Sequence, residues 1–206
     1  MVKYVVTAGD CNSDDYAEQM YPEAELISLR LADNGDAAFA KFEELGDEAI
    51  MITSTTPLHF SKNSSHVLEK YGIQKYLGHL NYTLMTKDEN IQYGTSFEGK
   101  SVGGISPLVG KVAAALVGAS KYVKFTDPEV STAAALSGDI DLVSKPSRDG
   151  KLDTEGGMHL ACDLTKEFGL KLQYYVLTHG EHNKEALDIF KQEQESIKKF
   201  APILAN

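Results

Sequence analysis

Leu77-Gly-His-Leu-Asn-Tyr-Thr-Leu-Met-Thr86 and Leu170-Lys-Leu-Gln-Tyr-Tyr-Val-Leu-Thr178 are the two stretches on which the fold turns. Both are rich in aromatic and aliphatic residues, and both outrun the usual strand of about 5–6 residues. The other strand candidates are short: Val2–Thr7, Leu26–Leu29, Ala49–Thr53, Ser101–Gly104, Tyr122–Thr126 and Ile140–Val143. They alternate with helical segments, and the stretch between the two long strands carries its own strand and helix alternation. The pattern predicts an α/β chain of two lobes joined by a double crossover. Residues 1–80 and 176–206 are assigned to lobe 1, and 81–175 to lobe 2.

Helix signals fill the intervals. Asn12 or Ser13 is placed to cap a helix over Asp14–Met20, and Ala37, Phe39, Ala40 and Phe42 define a helix over Asp36–Leu45 that Gly46 stops. Ser54-Thr-Thr-Pro-Leu-His59 reads as a polar loop after a strand, and Ser65–Tyr71 as helical. Ser106 at N-cap and Pro107 at N1 predict a helix running to Leu116 and ending at Gly118. Asp127-Pro128 caps another through Leu136, stopped by Gly138. Lys145–Gly156 reads as a surface connection, Glu155–Phe168 as a helix ended by Gly169, and His179–Asn183 as a turn. A final helix from Lys184 to Ala201 turns Leu187, Phe190, Ile197 and Phe200 to one side.

Composition narrows the function classes. With 42% hydrophobic and 24% charged residues the chain has enough apolar surface for a packed core. Its formal charge of -10 argues against binding nucleic acid or an anionic membrane. Met1-Val-Lys-Tyr-Val-Val-Thr7 runs straight into a strand with no apolar leader, so a cytoplasmic location is expected, and no stretch has the length of a membrane span. Cys11 and Cys162 are too few for a disulfide framework or a thiolate cage, so both are expected as reduced thiols, Cys162 inside a helix. Gly9 is not part of a G-x-G-x-x-G nucleotide loop.

Four pieces carry a family resemblance: Tyr16-Ala-Glu-Gln-Met-Tyr-Pro-Glu-Ala-Glu-Leu26, Asp33–Leu45, Val102–Leu116, and Thr132-Ala-Ala-Ala-Leu136 through Asp139-Ile-Asp-Leu142. Over residues 1–180 the chain resembles the catalytic domain of prephenate dehydratases. In length and end-pieces it is more similar to the prephenate decarboxylases related to bacilysin biosynthesis proteins. The resemblance implies a two-lobed type 2 periplasmic-binding-protein-like fold closing on a small anion, no cofactor, and a lyase acting on the dicarboxylate prephenate. Departures order the activities. The family's Gly-Pro-x-Gly-Thr is replaced by Ala8-Gly-Asp-Cys-Asn12, its Glu-Asn-Ser by Thr55-Thr56-Pro57, and its His-Pro-Gln by Ser106-Pro107-Leu108. The dehydratase Thr-Arg-Phe is absent, since His179-Gly-Glu-His-Asn183 leads into a helix, and this places non-aromatising decarboxylation ahead of dehydration to phenylpyruvate.

An acidic chain must hold a dianion through local donors. Loops ending at Ser13, Ser106 and Asp127 are expected to offer helix N-terminal amides, those of Leu108 and Val109 included. Asn12 belongs to the first of these loops, and the hydroxyls of Ser54, Thr55, Thr56 and Ser106 add neutral hydrogen bonds. Lys145, His59 and His179, each read as following a strand, are the candidate proton donors. His179, Glu181 and His182 have a spacing too unspecific for a metal site, so no metal is expected. The expected partner is a small-molecule dicarboxylate, with a homodimer as the assembly considered. The alternative from another class is a non-catalytic small-anion binding module, because a two-lobed fold serves ligand capture as readily as catalysis. A third reading is an enzyme acting on a related cyclohexadienyl acid.

Overall fold

The computed structural model describes residues 2–8, 11–29, 35–62, 64–106, 109–147 and 154–205. The chain begins β1 (Tyr4–Thr7), α1 (Cys11–Met20), β2 (Glu25–Ser28), α2 (Asp36–Leu45), β3 (Ala49–Ser54), α3 (Thr55–Phe60), α4 (Val67–Lys70) and β4 (Gly72–Thr86). It continues β5 (Ser101–Gly104), α5 (Lys111–Val117), β6 (Lys121–Lys124), α6 (Pro128–Ser137), β7 (Leu142–Ser147), β8 (His159–Asp163) and α7 (Leu164–Phe168). It ends β9 (Lys171–Thr178), α8 (Lys184–Ile197) and α9 (Ala201–Ala205). Two compact units result, one of Met1–His79 with Gln173–Lys198 and one of Leu80–Leu172 with Lys199–Asn206.

In the first unit the strands lie in the order β2, β1, β3, β9, β4. β1 is parallel to β2 and β3, and β9 returns antiparallel to β3. The period of two in each strand divides the core between two faces. Val6, Met51, Tyr175 and Leu177 pack with Phe39 and Phe42 of α2 and Phe190 of α8 on one face. Val5, Ile50, Ile52 and Val176 pack with Ala17 of α1 on the other. A sheet covered on both faces explains why these strands read as nearly unbroken apolar runs.

In the second unit β4 continues between β7 and β8, antiparallel to each, and β5 lies parallel to β6 and β7. Met85, Val143 and Ile140 bury one face against Ala135 of α6 and against Met158. Asp141 fixes the start of the β5 and β7 pair. Its carboxylate accepts from Ser101 N at 2.8 Å and Ser101 Oγ at 2.8 Å, and Lys100 Nζ lies 3.3 Å away. Thr86 Oγ1 donates to the Asp141 carbonyl at 2.8 Å, which ties β4 to the same corner.

Several expectations are corrected. Residues 54–59 are not a loop: Thr55–Phe60 is helical, with Pro57 inside the first turn, where the missing N–H costs no helix bond. Helix α1 starts at Cys11, so Asn12 and Ser13 lie within its first turn rather than before it. Helix α5 starts at Lys111 with Gly110 at N-cap, so Ser106 is not its cap; Ser106 instead accepts from Gly110 N through its carbonyl, at 2.8 Å. Pro107 and Leu108 lie outside the described residues. The amides expected to be open at Asp127 are already taken, because its carboxylate accepts from Glu129 N at 2.7 Å and Val130 N at 3.3 Å. Strand β7 runs on to Ser147, so Lys145 stands within a strand rather than after one.

His159–Asp163, expected as helix, is strand β8, and only Leu164–Phe168 is helical. His-Leu-Ala-Cys-Asp carries no periodicity that separates the two states, and the unpaired edge of β4 decides for a strand. Cys162 is therefore buried in a strand, and burial, with Glu167 and Asp163 nearby, pushes its thiol up to about 12. Among the described residues no helix is long and apolar enough to cross a membrane.

The Asp141 corner predicts an acid response. Burial raises the carboxyl, but the hydrogen bonds from Ser101 and Lys100 outweigh it and hold its pKa below the ordinary 3.8. A lowered folded-state pKa gives stability that is present above the ordinary value and is lost as pH falls through the folded value. Urea midpoints measured from about pH 5 down to about pH 2 should therefore fall more steeply for the wild type than for Asp141→Asn. Parallel curves would remove Asp141 from the account of acid sensitivity.

Candidate functional site

The second unit holds a pocket of about 560 Å³ between α6 and β7. Pro128, Glu129, Thr132 and Leu136 line it from α6, and Ser144 and Lys145 from β7. Such a volume suits a small organic ligand. Lys145 is only 6% exposed, and lysine is almost never fully buried unless its charge is paired. Its backbone is anchored by antiparallel pairing with Thr83, whose hydroxyl donates to the Lys145 carbonyl at 3.2 Å. Ser144 Oγ is buried and has no hydrogen-bond partner among the described residues.

The wall beside Ser144 is set by glycine. A methyl group on Gly104 would stand 2.6 Å from Ser144 Oγ and 3.0 Å from the Gly110 Cα, so the end of β5 approaches these atoms only because Gly104 has no side chain. Gly104 also accepts from Phe125 N at 3.0 Å and Tyr122 Oη at 3.1 Å through its carbonyl. Burial pushes the Tyr122 phenol up to about 12, so it stays a donor at neutral pH. Ser106, two residues on, is buried, and Val109 is 1% exposed.

The hydroxyl residues predicted in the first unit are buried in its interior. Ser13, Ser54, Thr55 and Thr56 are each at most 1% exposed. Tyr174, which sequence reading missed, brings two of the predicted positions together: it pairs with Ser54 in the β3 and β9 ladder and receives a 3.5 Å hydrogen bond from Asn12 Nδ2. Ser54 Oγ has no hydrogen-bond partner among the described residues. Thr55 Oγ1 accepts from Gln173 N at 2.8 Å and donates to Glu193.

Glu193 organises a buried polar cluster. It is 3% exposed on the apolar face of α8, accepts from Tyr175 Oη at 2.8 Å and from Thr55, and lies 3.4 Å from His59 Nε2. The His59 ring stacks on Phe190 with centroids 4.8 Å apart. Burial, then the adjacent Glu193 carboxylate, raises the Tyr175 phenol far above its ordinary value and fixes it as a donor. No sequence signal marked Glu193, because one acid on an amphipathic helix reads as a solvated residue.

His179 bonds the Phe42 carbonyl through Nε2 at 3.2 Å, and its ring lies tilted against the Phe42 ring with centroids 4.2 Å apart. His182 accepts from Ile73 N at 3.1 Å and contacts the Leu68 carbonyl through Nε2 at 3.2 Å, while Asn183 caps α8 by accepting from Ala186 N at 3.2 Å. Among the described residues no group of three or more His, Cys, Asp or Glu side chains is placed to hold a metal ion. Of the three candidate proton donors, Lys145 lines the pocket, whereas His59 and His179 sit among the side chains just named.

No family model and no curated protein matches this sequence. Solved structures do match. The periplasmic binding protein BugD aligns over 95% of this chain and 85% of its own, at 10% identity and a TM-score of 0.64. A mutant of ArgBP from T. maritima aligns over 98% and 91%, at 14% and 0.58. The periplasmic sulfonate-binding protein SsuA from Methylobacillus flagellatus KT aligns over 99% and 66%, at 16% and 0.57. The chain thus has a two-lobed, periplasmic-binding-protein-like α/β fold. At these identities the likeness establishes the fold and leaves the ligand to the side chains.

Two substitutions test this geometry. Gly104→Ala should lower stability by about 1–3 kcal/mol, read from urea denaturation, because the added methyl would meet Ser144 Oγ at 2.6 Å and the Gly110 Cα at 3.0 Å. Glu193→Ala should cost about 3 kcal/mol or more by leaving buried donors unsatisfied, and Glu193→Gln should cost less. An unchanged midpoint for Glu193→Ala would mean that the cluster is not structural.

Proposed function

We propose that this chain is a small-molecule binding module whose ligand presents an anionic group to Lys145 in the pocket between α6 and β7. The observation that carries the reading is a cation 6% exposed on the wall of a pocket of about 560 Å³. Desolvation strengthens the attraction of such a cation for a carboxylate or sulfonate. The fold supports the reading, since solved structures that share it include solute-binding proteins, one of them named for sulfonate.

A charge-assisted hydrogen bond of about 1.5–3 kcal/mol corresponds to about a 10–100-fold change in affinity. Titration calorimetry against a panel of small carboxylates and sulfonates should find binding that Lys145→Met weakens by that factor. Equal affinities for the two proteins would refute the role given to Lys145.

Lyase action on prephenate is the second reading, and it is favoured by the placement of Lys145, a candidate acid, on the pocket wall. Decarboxylation would release carbon dioxide and add a proton to a ring carbon with the hydroxyl retained; dehydration to phenylpyruvate would also release carbon dioxide, with the proton going instead to the hydroxyl, which leaves as water. Incubating the protein with prephenate and identifying the product separates these outcomes. Binding without turnover leaves the module reading alone.

A further inference from the structure

We infer that a cavity in the first unit, between the C-terminal half of α1 and the strands β1 and β2, binds a small apolar amine in its ammonium form. The cavity has a volume of about 270 Å³. Pockets for drug-sized ligands run from roughly 300 to 1,000 Å³, so a ligand here has fewer atoms. The cavity shares no lining residue with the pocket between α6 and β7 and is a separate site with a separate test.

The apolar walls follow from strand register. Val5 of β1 and Leu26 of β2 are partners in the parallel ladder, so both side chains point to the face on which Ala17 of α1 packs. Ala17 and Ala24 line the same cavity and end at Cβ, which leaves the space beside the strands unfilled. An alkyl or aryl body placed there leaves water for apolar contact.

The polar groups set the charge of the ligand. Glu18 and Tyr21 line the cavity, and neither the Glu18 carboxylate nor the Tyr21 hydroxyl has a hydrogen-bond or ion-pair partner among the described residues. Burial raises the Tyr21 phenol above its ordinary value, so at neutral pH it is uncharged and its oxygen has lone pairs to offer. A carboxylate only accepts, and an ammonium brings three donors and no acceptor. The nearby chain has the same sign: Cys11 to Ser28 contains Asp14, Asp15, Glu18, Glu23 and Glu25 but no Lys, Arg or His. Asp14 is engaged by the hydroxyls of Thr7 and Ser28, and Lys3, which precedes β1, is held by Glu48 at 2.5 Å. Glu18 is thus the free acid on the cavity wall, and an anionic ligand would meet it with no cation among the lining residues.

The test is a titration of the isotopically labelled full chain, followed by amide chemical shifts at neutral pH. The probes are butylamine, benzylamine and phenethylamine, each beside the alcohol and the carboxylate of the same skeleton. At least one amine should shift the amides of Ala17, Glu18, Tyr21 and Leu26 with a Kd on the order of 1–10 mM. It should bind about three- to tenfold more tightly than its alcohol, and the carboxylate more weakly than either. Glu18→Gln should bring amine and alcohol within about twofold of each other. Ala24→Leu, which puts a side chain into the space, should remove the binding of both. Glu18 is exposed, so Glu18→Gln is expected to fold, and an unchanged melting temperature checks this. Equal binding of amine and alcohol, or an amine preference that survives Glu18→Gln, overturns the ammonium assignment. If no probe shifts these amides, or if shifts gather only elsewhere on the chain, the cavity is not a binding site. Each of these results leaves the reading of the pocket between α6 and β7 to its own test.

Discussion

Strand β4 is the constraint from which the rest of the structure follows. Fifteen residues of strand, Gly72–Thr86, extend about 50 Å at about 3.4 Å per residue, more than one small unit needs. The strand therefore serves two: Gly72–His79 belong to the first unit and Leu80–Thr86 to the second. At Gly78, next to this change of membership, the backbone adopts φ 116°, a region open to glycine and strained for other residues. Strand β9 brings the chain back, and its register against β3 sets Tyr174 and Tyr175 beside Ser54 and Thr53. Each unit can then bury its own core without a long irregular connection.

Each unit buries a charged side chain, and the surroundings of the two differ. Glu193 is surrounded by groups that meet it: Tyr175 and Thr55 donate to it, and His59 lies within 3.4 Å. A carboxylate supplied with partners inside a core specifies packing and has little capacity left for a ligand. Lys145 is almost as buried, and it lines the pocket between α6 and β7.

The sequence was most legible where a local rule had no competitor. Asp36–Leu45 and its Gly46 stop, the Asp127-Pro128 start of α6 with Gly138 at its end, and the two long strands all follow from capping chemistry or apolar runs. Misreadings arose where tertiary context chose between two locally acceptable states. His159–Asp163 pairs with β4 because that edge is open, which no local pattern reveals. Lys145–Gly156 reads as a surface connection, but pairing with Thr83 and Tyr82 keeps Lys145 and Pro146 in β7. Thr55-Thr56-Pro57 looked like a polar loop, yet the hydroxyl of Thr55 is consumed by Glu193 and Gln173, partners more than a hundred residues away.

This last point bears on how chemistry can be carried from one sequence to another. The positions where the chain departs from the prephenate-lyase pattern, Thr55-Thr56-Pro57 and Ser106, hold side chains that the structure buries. Thr55 in particular completes the Glu193 cluster, so a polar residue at one of these positions is part of a core. Lys145 has no counterpart among the motif positions compared, yet it lines the pocket between α6 and β7. A fold can be retained while the groups that meet the ligand change, because backbone topology depends on apolar periodicity and a site depends on a few polar atoms. The ligand of this chain is for that reason better argued from the side chains of α6 and β7 than from a family pattern that no comparison shows.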